Sequence, residues 1–343
     1  MSTPGQRLHR FARWEDRWAA VLQRRLRARG WTPRVIPYTG YGTDGWVRVL
    51  ARVLLAPRET RSRELRLGRG WRRFLSASVS GVVVTVEVGG QRHEVVSDRG
   101  GYVDAVVEAE LPAGWGEAVL TAEGGGSPAT AALRIEDPSA GLGIVSDIDD
   151  TVIVTALPRP LVAFWNTFVR HETSRRPVRG MATLYGEIAA MHPGAPFFYL
   201  SPGAWNVAPV LEQFLRRHSF PPGPLLLTDW GPTTESWFRS GREHKRRELR
   251  RLLAELPQVR WLLVGDDGQH DPEIYSEAAR AAPAQLRGVA IRQLSPTEQV
   301  LTHGTPAPLP EGAEQPEVPH EEVRAGDGFA LLAELRSRGL LGE

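Results

Sequence analysis

The sequence contains no cysteine. That excludes disulfide scaffolds, thiolate zinc sites, iron–sulfur clusters and cysteine nucleophiles. No apolar run approaches the roughly 20 residues needed to span a bilayer. The arginine-rich N-terminus has no apolar core of the signal-peptide kind, so a chain kept in the cytosol is the expectation. Lysine is almost absent. Of the 42 Lys and Arg residues one is a lysine, Lys245, and 41 are arginines. Asparagine occurs only at Asn166 and Asn206. A compositional drift toward Arg and away from Asn accounts for both scarcities. A residue that survives alone against such a drift is a candidate for chemical necessity. What is present is ordinary for a globular protein: 343 residues, 41% of them hydrophobic and 24% charged, with a net charge of +2. At about 150 residues per domain, this length holds roughly two domains and a tail. Wholesale disorder and a collagen-like fibre are excluded.

Composition and periodicity divide the chain into residues 1–30, 31–137, 138–297 and 298–343. Residues 6–29 read as an amphipathic helix, with Phe11, Trp14, Trp18 and Leu22 on one stripe. The span also carries eight arginines against Glu15 and Asp16. Two readings stay open: a helix docked on its own protein with Arg in water, or one lying on an anionic membrane surface. No nucleic-acid reader motif accompanies the charge, so nucleic acid is not an expected partner. Residues 30–80 mix Gly, Pro and Arg around one good strand, Trp46 to Leu55. Arg58 to Arg73 reads as a solvated basic connection. From Gly81 to Ile135 the pattern is strand and turn. Val82, Val84, Val86 and Val88 alternate, Gly89-Gly90 turns the chain, and further strands follow to Ile135. This predicts a small antiparallel β-sandwich.

After Asp137-Pro138 the style changes. Leu142 to Val145, Pro196 to Leu200, Pro224 to Leu227, Arg260 to Val264 and Gly288 to Arg292 are short continuous apolar runs. Such runs suit strands buried on both faces. Helical patterns at 180–192, 204–218, 242–256 and 272–282 lie between them. The alternation predicts an α/β fold with a doubly wound parallel sheet, whose ligands sit off the carboxyl ends of the strands. After Pro296 a Pro- and Glu-rich stretch to about residue 322 is expected to be loosely packed. A closing helix over 327–340 is expected to present Phe329, Leu332 and Leu335.

The first strand of the parallel sheet ends in Asp147-Ile148-Asp149-Asp150-Thr151. Three carboxylates so close at a buried strand end repel one another, and a divalent cation among them makes them tolerable. The fourth strand ends in Gly265-Asp266-Asp267-Gly268-Gln269-His270-Asp271. If these strands are neighbours, their acidic ends converge on one oxygen-ligated site suited to Mg²⁺. One Asp after a strand is more often a turn or helix-cap residue; two acidic clusters at strand ends weaken that reading. The second strand ends in Ser201-Pro202-Gly203, where a hydroxyl and free N–H groups suit a phosphate oxygen, although a helix cap is the plainer reading of Ser201 alone. Lys245 would ordinarily be a solvated helix charge. As the lone lysine, it is instead a candidate to neutralise phosphate and carboxylate together, where a guanidinium would not fit equivalently.

The pattern Asp-x-Asp-x-Thr, then a strand-end Ser, a Lys, and Gly-Asp-x-x-x-x-Asp resembles the haloacid dehalogenase superfamily. Within it the sequence is most similar to the App1-like phosphatidate phosphatase catalytic domains, related to lipins. The matching text includes Ser146 to Thr151, Pro177 to Met181, Pro196 to Ser201, Trp205-Asn206, His244-Lys245 and Gly265 to Tyr275. The resemblance covers about residues 140–295. It implies a sheet of haloacid dehalogenase type with strand order 5-4-1-2-3 and a minimal cap. Between the first strand and Gly180 there is no room for a large cap, only an apolar helical face with Leu161, Phe164, Trp165 and Phe168. The resemblance implies Asp147 as nucleophile and Asp149 as general acid and base. Ser201 and Lys245 are implied to hold the phosphoryl oxygens, and Thr151 and Asn206 to support them. Mg²⁺ is implied at Asp147, the Asp149 main chain and Asp266, backed by Asp267 or Asp271. Asp150 is expected to cap the next helix without a catalytic role. The sequence departs from the family at Asp267, where Ser is usual, and at Pro202-Gly203-Ala204, in place of a Ser-rich loop. Phosphatidate is the implied substrate, with peripheral membrane contact through the basic helix. Two alternatives stay open: a phosphatase of a soluble phosphomonoester or phosphorylated polymer, and a non-catalytic lipid-sensing module on the same fold.

Overall fold

The computed structural model describes residues 21–57, 78–137, 139–155, 176–228, 237–268, 270–295, 298 and 320–342. The stripe residues Phe11, Trp14 and Trp18, the basic run Arg58 to Arg73, the apolar segment 161–169 and most of the Pro- and Glu-rich stretch lie outside them. The chain divides into two units, Met1–Ile135 and Glu136–Glu343.

The first unit has eight strands: β1 (Trp31–Pro37), β2 (Gly40–Thr43), β3 (Trp46–Pro57), β4 (Val83–Val88), β5 (Gln91–Val96), β6 (Tyr102–Glu108), β7 (Gly114–Ala122) and β8 (Ala129–Ile135). They form a single sheet in the order β1-β3-β2-β8-β7-β4-β5, with β6 paired to β3. The sheet is mixed, because β2 runs parallel to β8 while the other pairs are antiparallel. Alternation sets its faces: Val84, Val86 and Val88 of β4 point into one core with Val49, Val53, Leu120 and Leu133. Gly89 and Gly90 both have positive φ, at 55° and 75°, as a two-residue hairpin turn requires. Residues 21–28 are helical. Leu26 is buried in the sheet core and Leu22 packs against it.

The second unit has strands β9 (Gly143–Asp147), β10 (Phe197–Ala204), β11 (Leu225–Thr228), β12 (Trp261–Asp266), β13 (Leu286–Arg292) and β14 (Glu322–Ala325). Its helices are α1 (Met181–Met191), α2 (Ala208–Arg217), α3 (Trp237–Glu255), α4 (Asp271–Ala281) and α5 (Gly328–Ser337). The strands form a second sheet in the order β11-β10-β9-β12-β13-β14, with every pair parallel. β9 and β12 are buried at every residue, which accounts for their uninterrupted apolar runs.

These sheets correct the expected fold class. In place of a small antiparallel sandwich followed by a doubly wound five-stranded sheet of haloacid dehalogenase type in the order 5-4-1-2-3, the structure has a mixed eight-stranded sheet and a separate six-stranded parallel one. Two local causes hid the difference. Pro33, Arg34 and Pro37 interrupt the apolar pattern of β1, yet β1 is the outermost strand of its sheet order, where a missing N–H breaks no ladder. β14 is only four residues long, with Val323 and Ala325 buried between Glu322 and Arg324, too short a run for periodicity to show. The closing helix buries Leu332 and Leu335 of its expected face but not Phe329. α5 buries Leu331, Leu332 and Leu335, while Phe329 is half exposed beneath the Arg179 guanidinium. Gly180 and Gly328 make this docking close: a Cβ at 328 would stand 2.3 Å from the Gly180 carbonyl carbon.

Candidate active site

Parallel pairing brings the acidic strand ends together. Leu200 of β10 is opposite Asp147, and Val264 of β12 is opposite Ser146. Asp147, Ser201 and Asp266 therefore sit at one carboxyl edge of the sheet. Asp271 opens α4 directly behind Asp266, and α3 carries Lys245 to the same place. Asp147, Asp149, Ser201, Lys245, Asp266 and Asp271 are all buried.

Lys245 is the hub. Its Nζ lies 2.6 Å from Asp147 Oδ1 and 2.6 Å from Asp271 Oδ1. One carboxylate oxygen from each of Asp147, Asp266 and Asp271 lies within 4.8 Å of the other two. Asp266 Oδ1 accepts from the Gly268 N–H at 2.7 Å, whereas Asp266 Oδ2 and Asp147 Oδ2 are buried with no hydrogen-bond donor. Gly265 allows this close approach, since a Cβ there would stand 2.5 Å from Asp271 Oδ2.

Burial pushes the Asp147 carboxyl well above the usual aspartate range; Lys245 opposes the shift, while Asp271 and Asp149 add to it. Burial does the same to Asp266, reinforced by Asp271 and Asp147. For Lys245 burial acts downward, but Asp147, Asp271 and Asp266 outweigh it and hold the ammonium above its ordinary value. Three buried carboxylates thus share one ammonium, and two of their oxygens lack a donor. This donor set fits a hard divalent cation.

Asp149 stands beside this group. Its Oδ2 accepts from Ser201 Oγ at 3.0 Å, and Ser201 Oγ in turn accepts from the Gly203 N–H at 3.1 Å. Ser201 caps no helix: β10 continues to Ala204 with a register shift after Leu200. Thr151 is buried, with its Oγ1 unpartnered. Asn206 lies in the short 3₁₀ turn Trp205–Val207, and among the described residues it makes no hydrogen bond to the carboxylates. Asp267 is turned away, its Oδ1 accepting from the Leu294 N–H at 2.8 Å, whereas Asp271 is inside the cluster. Among the described residues Asp150 caps no helix, and the segment after Thr155 that it was expected to cap lies outside them. Asp150 takes a left-handed conformation, φ 58°, and its Oδ1 accepts from the Thr155 N–H at 2.8 Å.

Three further residues support the site, and two of them, Tyr185 and Arg292, carry no sequence signal of their own. Tyr185 of α1 bonds Ser146 Oγ, which also donates to the Asp147 carbonyl at 2.7 Å. Tyr275 of α4 donates to the Val264 carbonyl at 3.1 Å and so fixes α4 against β12. Arg292 ends β13 and donates to the Asp150 carbonyl at 2.7 Å. One arginine among 41 is invisible in the sequence. The neighbour of Lys245, His244, is held neutral to about pH 3 by burial, with its Nε2 3.3 Å from the Leu226 carbonyl.

Fold and site together define a parallel-sheet domain with a buried carboxylate–lysine centre at the carboxyl edge of its central strands. Residues 142–293 match the family model for the catalytic domain of phosphatidate phosphatase APP1, and this segment is an App1-like catalytic domain. Phosphatidate phosphatase APP1 of Saccharomyces cerevisiae is 29% identical over 155 residues, which are 44% of this chain and 26% of the yeast protein. An uncharacterized protein of Schizosaccharomyces pombe is 24% identical over 155 residues, 45% of this chain and 25% of that one. The chain thus spans about a quarter of the length of the curated relatives it matches. Among solved structures, a carbohydrate acetylesterase from Xanthomonas citri overlaps 77% of this chain and 69% of its own, at 13% identity and a TM-score of 0.28.

Proposed function

We propose that this domain is a Mg²⁺-dependent phosphatase that hydrolyses phosphatidate to diacylglycerol and phosphate through an aspartyl-phosphate. The observation that carries the reading is Lys245 held between Asp147 and Asp271, beside carboxylate oxygens that lack donors. The similarity to a protein named phosphatidate phosphatase supports the substrate.

In the first step the Asp147 carboxylate attacks phosphorus, and the bond from phosphorus to the glycerol oxygen breaks. Asp149 gives its proton to that departing oxygen. In the second step Asp149 takes a proton from water, which attacks the same phosphorus and frees phosphate and Asp147. The Ser201 hydroxyl and the Lys245 ammonium hold the phosphoryl oxygens. Asp147, Asp266 and Asp271 would hold the metal, which when bound neutralises the carboxylates and the charge on the phosphoryl group. A binding-only module has no need of a nucleophile paired with a second, separately held carboxylate. The test is phosphate release from phosphatidate in mixed micelles, beside soluble phosphomonoesters, with and without EDTA. EDTA-sensitive release from phosphatidate supports the reading. Faster release from the soluble esters would assign a different substrate.

The metal has a stability signature. Because burial raises Asp147 and Asp266 above the ordinary 3.8, the metal-free folded chain keeps protons that the unfolded chain releases. Its stability therefore falls as pH rises above that value. A cation displaces those protons, so its stabilising effect grows with the same rise. His244, lowered by burial from 6.5 to about 3, adds stability as pH rises between those values, equally with and without metal. Saturating Mg²⁺ is expected to raise Tm by roughly 5–10 °C near pH 7.5 and by under about 2 °C near pH 4.5. Equal shifts at both pH values in a melting experiment would contradict the site.

Peripheral contact with anionic lipid belongs to the same proposal. In helix 21–28, Leu22 and Leu26 pack inward while Arg24, Arg25 and Arg27 are exposed. Each arginine near an anionic surface is worth about 1 kcal/mol. Flotation with phosphatidate-containing vesicles is expected, and Arg24→Ser with Arg25→Ser and Arg27→Ser should reduce it at least about tenfold. Equal flotation of this triple variant would remove the helix from the account.

A further inference from the structure

One buried charged side chain at the site has no part in the chemistry above. We propose that Arg292 is a positioning residue that fixes the main chain of the Asp147–Thr155 loop and, through it, the acid/base carboxylate of Asp149; the inference rests on the phosphatase reading.

Arg292 is 5% exposed and ends β13 in register with Asp266. Its guanidinium is held on three sides. One terminal nitrogen donates to the Asp150 carbonyl at 2.7 Å, and the other pairs with Glu298 at 2.5 Å. Nε lies 3.4 Å from the Gly326 carbonyl. Each of its three nitrogens already has a protein acceptor, so its place is in the scaffold and not on the phosphoryl group. Lys245 makes the direct contacts to the carboxylates.

The carbonyl it grips belongs to Asp150, the residue next to Asp149. Asp150 occupies the left-handed region, φ 58°, where a residue with a Cβ is disfavoured by about 1–2 kcal/mol. Such a conformation persists where its surroundings over-determine it. The loop supplies part of that determination: the Asp150 N–H donates to the Ile153 carbonyl at 2.9 Å and Asp150 Oδ1 accepts from Thr155. These contacts fix the N–H and the side chain. Arg292 fixes the remaining group, the carbonyl. With Asp150 held, the Asp149 backbone is set, and its carboxylate meets Ser201 Oγ at 3.0 Å. Two of the three partners of Arg292, Glu298 and Gly326, lie beyond residue 293, where the family match ends. The clamp therefore ties the C-terminal segment of this chain to the chemistry.

The test uses the full chain with Arg292→Ala and Arg292→Lys. It measures kcat and KM on phosphatidate micelles and hydrogen exchange of the amides over 148–155. For Arg292→Ala, kcat is expected to fall about 10- to 100-fold with KM within about twofold, the mark of misplaced groups rather than lost binding. The Asp150, Val152 and Ile153 amides should exchange about tenfold faster. Arg292→Lys keeps the charge but cannot hold three acceptors in one plane, and should fall between the two. If the alanine variant does not fold, the lysine variant decides. A kcat within about twofold of wild type with unchanged exchange, or a raised KM with kcat kept, would overturn the inference. A wild-type chain that releases phosphate from no substrate would overturn the phosphatase reading, while the exchange arm still decides whether Arg292 holds the loop.

Discussion

Asp147→Asn is expected to stop phosphate release, lowering kcat by about ten-thousand-fold or more, with the fold intact. The amide is nearly isosteric but is no nucleophile toward phosphorus, and no other carboxylate can take its place: Asp149 is held by Ser201, and Asp266 and Asp271 come from the neighbouring strand end. Stability should move the other way. In the wild type, burial and the neighbouring Asp271 and Asp149 disfavour the ionised form of Asp147. Replacing it removes an unfavourable buried charge, and Lys245 keeps Asp271 as a partner at 2.6 Å. In EDTA near pH 7.5 the variant should therefore melt no lower than wild type, while its gain from added Mg²⁺ shrinks. Phosphate release and melting on one preparation check both halves. A variant that keeps more than about 1% of turnover would remove Asp147 as nucleophile.

Lys245→Arg is expected to cost nearly as much, with kcat about a thousandfold lower. The ammonium is 3% exposed and stands 2.6 Å from oxygens of two different carboxylates. A guanidinium is larger and planar, and its fork matches one carboxylate edge rather than two separate oxygens. It cannot enter the same space without moving α3 or the Asp147 loop. Lys245→Met, of similar length but uncharged, leaves Asp147, Asp266 and Asp271 without their cation and should destabilise the metal-free chain by about 3–5 kcal/mol. Added Mg²⁺ should restore part of that stability but not turnover. Near-normal turnover of the arginine variant would show that the scarcity of lysine in this chain says nothing about the need for Lys245.

The site was more legible in the sequence than the architecture. Asp147 and Asp266 stood out because each follows a continuous apolar run and each is crowded by further carboxylates, a pattern that burial makes costly unless something compensates it. Lys245 stood out through composition alone. Asp267 and Asp271 could not be told apart. Both are acidic and close in sequence, and only the turn through Gly268 and the start of α4 sends one toward Leu294 and the other into the cluster. Arg292 and Tyr185 were invisible, since their partners are main-chain or hydroxyl groups far away in sequence. The architecture failed at its edges. β1 is broken by prolines that only an outermost strand accepts, and β14 is too short to show a period. Sheet membership there depends on long-range pairing: β2 beside β8 and β14 beside β13 join segments that no local pattern connects. Phe329 departs from its expected buried position for a related reason. The face of α5 is chosen by the close Gly180–Gly328 approach, which local amphipathicity does not report.

The proposed chemistry stands on Asp147 accepting the phosphoryl group from the ester and passing it to water. Its most direct test is acid-quenched turnover with ³²P-labelled phosphatidate and Mg²⁺, followed by peptide mapping. The account predicts an acid-stable, hydroxylamine-labile phosphate on the peptide containing Asp147, present at early times and absent in Asp147→Asn. Turnover that proceeds with no label on that peptide, or with the label on another residue, would contradict it.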